Sequence, residues 1–287
     1  MKLDGRRTSD NVEDRRSGGK TTAGLGIGGL VIVGIITWLS GGNLGDVFNA
    51  VTGQLSNNVA QTGTEHVATA EENAMFTFAK TILAGTEDVW TEEFAKMGRK
   101  YVPPKMVIYT GATQSGCGGA STQTGPFYCP ADQTVYLDLS FFDQMKNQLG
   151  AGGDFAYAYV IAHEVGHHVQ YLLGTLGKVT QMQNKASKKE SNQLSVRLEL
   201  QADFYAGVWA FHDNKMFNSL EPGDIEKGLN AASAIGDDRL QMQSQGYTVP
   251  DAFNHGTSAQ RIRWLKKGAT TGNIANGDTF SPDYSAL

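Results

Sequence analysis

Two histidines four residues apart, with a glutamate directly after the first, lie inside the apolar string YVIAHEVGHHVQYLL at residues 159–173. On a helix, His163 and His167 project from one face about a turn apart and can take two corners of a tetrahedral metal site. Glu164 then stands beside the first ligand, where it can take a proton from a metal-activated water without binding the metal itself. Tyr159, Ile161, Ala162, Val165, Val169 and Leu172 supply the helical context that this motif requires. In a chain of 287 residues with six histidines, H-E-x-x-H arises by chance only about 0.6% of the time, so a third ligand is worth seeking.

The string RLELQADFYAGVWA provides one. Glu199 and Asp203 are again four residues apart on one helical face, and the 32 residues after His167 leave room for a helix, a turn and a return. Glu199 would complete a His2Glu zinc set with water in the fourth position. Asp203 would accept the remaining ring N–H of a zinc-bound histidine and fix its tautomer. The plainer reading is two solvated carboxylates, but the run LELQADFYAGVW is otherwise apolar, and buried acids need partners. His168 points about 100° away from His167 around the same helix and is expected to be structural or exposed.

Around this centre the composition is that of a globular protein: 40% hydrophobic and 18% charged residues exclude wholesale disorder. With 24 basic against 29 acidic residues there is no basic face, so nucleic acid is not an expected partner. EENAMFTFAKTIL and DVWTEEFAKMG read as one long or two short helices, KMVIYT and TVYLDLSF as strands. Helices are further expected over 154–173, 187–212, 224–234 and 258–267. Strands followed by a run of helices give the α+β class. Asp138 reads as a plain strand residue, and Lys185, Lys188 and Lys189 as a solvated helix start.

The N-terminal region differs. Six cations and four anions lie in residues 1–20, and nothing from Thr21 to Gly45 is charged. Within that window AGLGIGGLVIVGIITWL, ending at Trp38–Leu39, is long enough for the lower limit of a membrane span. The expected layout is a cytoplasmic basic arm (1–22), one transmembrane helix (23–42), a linker rich in Gly, Asn, Thr and Ser (43–70) and an extracytoplasmic domain (71–287). A cleaved signal peptide or a buried core helix are the alternatives. Gly24, Gly26 and Gly29 match a dinucleotide fingerprint but lack its strand and helix, whereas Gly24 and Gly28 hint at homo-oligomerisation through the span. Outside the cytoplasm Cys117 and Cys129 could pair across their Gly/Ser/Thr-rich loop; reduced thiols are the alternative, and the spacing is poor for a metal knuckle.

The chain resembles the zincin metallopeptidases of the gluzincin type, and more closely the bacterial putative neutral zinc metallopeptidase family. The blocks that carry the likeness are GRRTSDNVEDRR, SGCGGASTQTGPFYCPADQTVYLD, HEVGHHVQ, LELQADFYAGVWA, IGDDRLQMQSQG and FNHGTSAQRIRW. The resemblance implies a membrane-anchored zincin-like peptidase with His163, His167 and Glu199 holding Zn2+ and Glu164 as catalytic base. It also points to His255, in the region where related zincins place a histidine that supports the oxyanion; a helix-capping or core histidine is the duller reading. Many relatives carry cysteines where this chain has Phe204 and Gly277, so a second disulfide is absent here as a pair. The substrate is expected to be a peptide or unfolded protein, added as a strand to an exposed sheet edge for which Thr134 to Leu139 is the candidate. The rival is a latent zinc-binding scaffold on the membrane, against which the retained Glu164 argues.

Overall fold

The computed structural model describes residues 1–16 and 68–287. Helix α1 (Ala70–Lys96) opens on a capping box, in which the Thr69 hydroxyl accepts the Glu72 N–H and the Glu72 carboxylate accepts the Thr69 N–H. It runs unbroken for 27 residues, so the two apolar stretches read in the sequence are one helix.

Strand β1 (Val12–Arg15) is followed by β2 (Lys105–Tyr109), β3 (Ala112–Ser115), β4 (Gly118–Ser121), β5 (Phe127–Cys129) and β6 (Thr134–Asp138). Four of them form a sheet in the order β1-β2-β6-β5, with β1, β2 and β6 parallel and β5 antiparallel to β6. The hairpin β3–β4 stands apart from it. Alternation sends Met106, Ile108, Val135 and Leu137 into the main core, and Val107, Tyr109 and Tyr136 to a smaller cluster on the other face. The second strand is shorter than its sequence suggested: the Asp138 carboxylate accepts the Ser140 N–H, and the chain turns into α2 (Ser140–Asn147).

The remaining helices are α3 (Asp154–Leu173), α4 (Thr175–Gln183), α5 (Lys188–Phe217), α6 (Asp224–Ala234), α7 (Asp237–Gln245) and α8 (Ser258–Thr271). The α+β class stands. Helices α4 and α7 were not foreseen, because Val179 is the single apolar residue they bury and periodicity had nothing to register. Helix α5 lies at the centre, with α3 on one side and α8 on another. Its contact with α8 is backbone to backbone: a Cβ at Gly207 would lie 2.2 Å from the Leu265 carbonyl, and one at Gly268 would lie 2.1 Å from that of Phe204. Phe204 also fills the space beside Gly277, where an added Cβ would come within 2.6 Å of its ring. The two positions expected to have lost a disulfide together are thus neighbours, packed ring against glycine.

The N-terminal arm overturns the expected membrane topology. Residues 12–15 pair strand to strand with residues 106–109 of the main domain, and the Met106 N–H donates to the Asn11 carbonyl. Paired strands stand about 4.8 Å apart, whereas a bilayer core is about 30 Å thick, so the arm and the domain share one side. A cytoplasmic arm with an extracytoplasmic domain across a single span is therefore excluded. The arm's charge serves the fold instead. Arg6 makes a bidentate pair with buried Asp213 at 2.6 and 3.0 Å, Arg7 reaches Glu87 and Asp88, and Arg16 bonds Asp14, the Glu72 carbonyl and Asn73. No helix among the described residues is long and apolar enough to cross a membrane. The segment 23–42, its glycine contacts and most of the linker 43–70 lie outside the described residues.

Arg6→Ala leaves Asp213 buried without its cation. It is expected to destabilise the fold by about 3 kcal/mol, read as a lower urea midpoint with an unchanged slope.

Candidate metal centre

His163 and His167 come from α3 and Glu199 from α5, and one ligand atom of each lies within 4.8 Å of the others. His163 Nε2 is 3.1 Å from Glu199 Oε2, and His167 Nε2 is 3.4 Å from Glu199 Oε1. Ligands bound at about 2.1 Å to the corners of a tetrahedron are about 3.4 Å apart, so the spacing suits a cation between them. Two imidazoles and a carboxylate are also the donor types that a borderline divalent ion prefers.

The other ring nitrogens are occupied in the way such a site needs. His163 Nδ1 lies 2.8 Å from Asp203 Oδ1 and donates to it, since a carboxylate only accepts. His167 Nδ1 lies 2.9 Å from Gln170 Oε1 and donates there. Both rings therefore turn Nε2 toward the cluster. Asp203 is the expected partner; Gln170 was missed, although its place three residues after His167 was a visible signal.

Asp203 is fully buried and carries more than one bond. Tyr159 Oη donates to it at 2.6 Å, and Arg261 donates through Nε at 2.9 Å and Nη2 at 3.0 Å. Arg261 also reaches Tyr159 Oη and the Ile235 carbonyl. Burial alone would raise the Asp203 pKa, but Arg261 and His163 outweigh it and hold the carboxyl at about 2. Burial likewise disfavours charge on His163, yet Asp203 and Glu199 raise its pKa to about 10. Glu199 is held well below the ordinary carboxylate range against its own burial, by His167 and His163. The centre is thus built to stabilise positive charge between the two imidazoles and Glu199.

Glu164 is buried beside this cluster, and burial raises its pKa, with His163 and His167 partly opposing the rise. His255 stands on the loop before α8 with Nδ1 3.1 Å from Asp237 Oδ1. The other oxygen of Asp237 accepts the backbone N–H groups of Asn254, His255 and Gly256 at 2.7 to 2.9 Å. His255 is near enough that its charge contributes to depressing Glu199. Neither Asp237 nor Arg261 announced itself in the sequence, because each acts over a separation that no local spacing encodes.

Other expected residues fall elsewhere. His168 is fully buried and structural, with Nδ1 on the Tyr128 hydroxyl and Nε2 donating to the Val102 carbonyl. Asp138 is more than a strand residue: it accepts from Thr122 Oγ1 and Gly111 N–H and so clamps the loop that carries β3 and β4. Lys189 pairs with Asp251 at the start of α5. Cys117 and Cys129 are joined in a disulfide that ties the turn between β3 and β4 to β5, so neither is a metal ligand. The strand at 134–138 is not an edge, since β6 is flanked by β2 and β5. Among the described residues the terminal strand next to α3 is β5, whose Tyr128 bonds His168.

The family model described as putative neutral zinc metallopeptidase matches residues 1–280. The chain belongs to this family. The match takes in the N-terminal arm as well as the helices of the centre. Among its relatives, the uncharacterized protein YpfJ of Escherichia coli (strain K12) is 52% identical over 98% of this chain and 99% of its own length. The uncharacterized protein Rv2575 of Mycobacterium tuberculosis (strain H37Rv) is 46% identical over 63% of this chain and 64% of its own. No solved structure gives a significant match.

A carboxyl held at about 2 when folded and near 3.8 when unfolded contributes stability that is complete above pH 4 and is lost as pH falls through 2. In metal-free protein, Asp203→Asn is expected to flatten the stability loss between pH 4 and 2 and to lower stability at pH 7 by about 3 kcal/mol, because Arg261 keeps its charge without a partner. Urea titrations of both proteins across that range measure it.

Proposed function

We propose that the chain is a zinc-dependent peptidase that hydrolyses peptides or unfolded protein chains. The reading is carried by one observation: His163, His167 and Glu199 converge, while Glu164, which is no part of that set, stands buried next to it. A purely structural site has no use for such a base.

His163, His167 and Glu199 would hold the zinc, which would supply a Lewis acid to polarise a carbonyl and acidify water. The chain's own groups do the rest. Glu164 accepts the proton of the attacking water on its carboxylate and delivers it to the leaving amine. Asp203 and Gln170 hold the two imidazoles in the tautomer that presents Nε2. His255, oriented by Asp237, is assigned to donate to the carbonyl oxygen as negative charge builds on it. An extended substrate pairs with the open edge of β5, which runs beside the helix that carries both histidines. Backbone pairing of this kind reads the extended conformation more than any side chain, which fits a peptide or an unfolded chain as substrate.

Glu164→Gln is expected to keep the fold and one zinc per chain while cleavage of a denatured protein mixture drops at least a hundredfold. Metal analysis alongside chelator-sensitive proteolysis checks both, and parent-like cleavage by the variant would remove Glu164 from the mechanism. His163→Ala is expected to lower zinc content as well as activity, and unchanged stoichiometry would remove His163 from the ligand set.

A further inference from the structure

We infer that Gln201 is a positioning residue for the metal centre, and that through it the C-terminal tail sets the affinity of the site for its cation. This rests on the zinc reading above. Helix α5 carries two functional stripes. Glu199 and Asp203 face the centre, whereas Arg197, Gln201 and Phe204, at helical spacings of four and three, face residues 277–282. Arg197 donates to the Thr279 and Pro282 carbonyls, and Thr279 Oγ1 returns a bond to the Arg197 carbonyl at 2.7 Å. Gln201 Nε2 donates to the Gly277 carbonyl at 2.8 Å, and Phe204 packs on Gly277 itself.

Gln201 is where the two stripes meet. Its Oε1 accepts from Gln170 Nε2 at 3.2 Å, and the same Gln170 nitrogen donates to the Leu198 carbonyl at 2.7 Å. Both hydrogens of the Gln170 amide are thereby used, which leaves its Oε1 aimed at His167 Nδ1. The relay runs from the Gly277 carbonyl through Gln201 and Gln170 to His167. Each amide has one orientation that satisfies its neighbours. A Gln170 amide turned the other way would present N–H to His167 Nδ1, favour the Nδ1-unprotonated tautomer and put a proton on the nitrogen that should bind the metal. Gln170 and Gln201 are both buried, so no water replaces a lost partner cheaply. Loosening the tail therefore removes one of the restraints that keep His167 ready to ligate.

The test compares the full chain with Gln201→Met, Gln201→Glu and Arg197→Ala, using Zn2+ affinity by chelator competition and the His167 tautomer by 15N NMR of the metal-free protein. Gln201→Met, which breaks both bonds at similar volume, is expected to weaken zinc about tenfold and to mix the His167 tautomers. Gln201→Glu keeps an acceptor for Gln170 but cannot donate to Gly277. It should bind zinc more tightly than Gln201→Met while amide exchange at residues 277–287 speeds up. Arg197→Ala, which loosens the tail but leaves both partners of Gln201 in place, should weaken zinc measurably, though less than Gln201→Met does. Parent-like affinity and tautomer in Gln201→Met would overturn the inference, as would parent-like zinc affinity in Arg197→Ala when amide exchange at residues 277–287 has sped up. If Gln201→Met does not fold, Gln201→Glu decides: parent-like zinc affinity with the Gly277 bond gone would overturn it. Should the parent itself take up no zinc, the metal reading fails on its own, and the tautomer comparison still judges the relay.

Discussion

One carboxylate holds the arrangement together. Asp203 is buried where a lone charge would be strongly destabilising, and it is tolerated because Arg261, Tyr159 and His163 all donate to it. Those donors come from α3 and α8, while the carboxylate comes from α5. A single ionic cluster therefore fixes the positions of three helices and the direction of the His163 ring. Removing any member leaves the others charged or unsatisfied in the interior, so sites that look remote from the chemistry, Arg261 above all, are tied to it energetically.

The two histidines are supported by different chemistry. His163 faces a charged partner that is backed by a guanidinium, a bond that strengthens when the ring gains positive character. His167 faces a neutral amide whose own orientation depends on a second amide. The first support is anchored deep between helices, the second ends on the tail. Such asymmetry gives the centre one ligand held by electrostatics and one held by geometry.

Much of this was legible in the sequence because helices write their functional faces at fixed spacing. His163, His167, Glu199 and Asp203 could be placed by that spacing alone, and the ranges of α3 and α6 came out as read. Partners brought together by tertiary structure were not legible. Arg261 lies 58 residues from Asp203, and Asp237 lies 18 from His255. The edge strand was misplaced because strand order is a property of pairing and not of pattern; β2 and β6 both lie inside the sheet, and nothing in their composition names their neighbours. The basic arm misled most: its cations read as a membrane flank, since their carboxylate partners at Glu87, Asp88 and Asp213 are scattered through the later chain.

That arm also orders events in time. Arg6 emerges early in synthesis, yet its partner Asp213 follows 207 residues later, and the Lys2 N–H donates to the Ser219 carbonyl. Strand β1, Arg7 and Arg16 find their partners in β2 and α1, but until α5 is complete Arg6 and the Lys2 backbone have nothing to dock on. The final closure is thus a contact of very high sequence separation, the kind that loop entropy makes slow. A nascent chain therefore has His163, His167 and Glu199 in hand before Arg6 and Lys2 are locked down, so these three side chains can converge while the far end of the arm is still free.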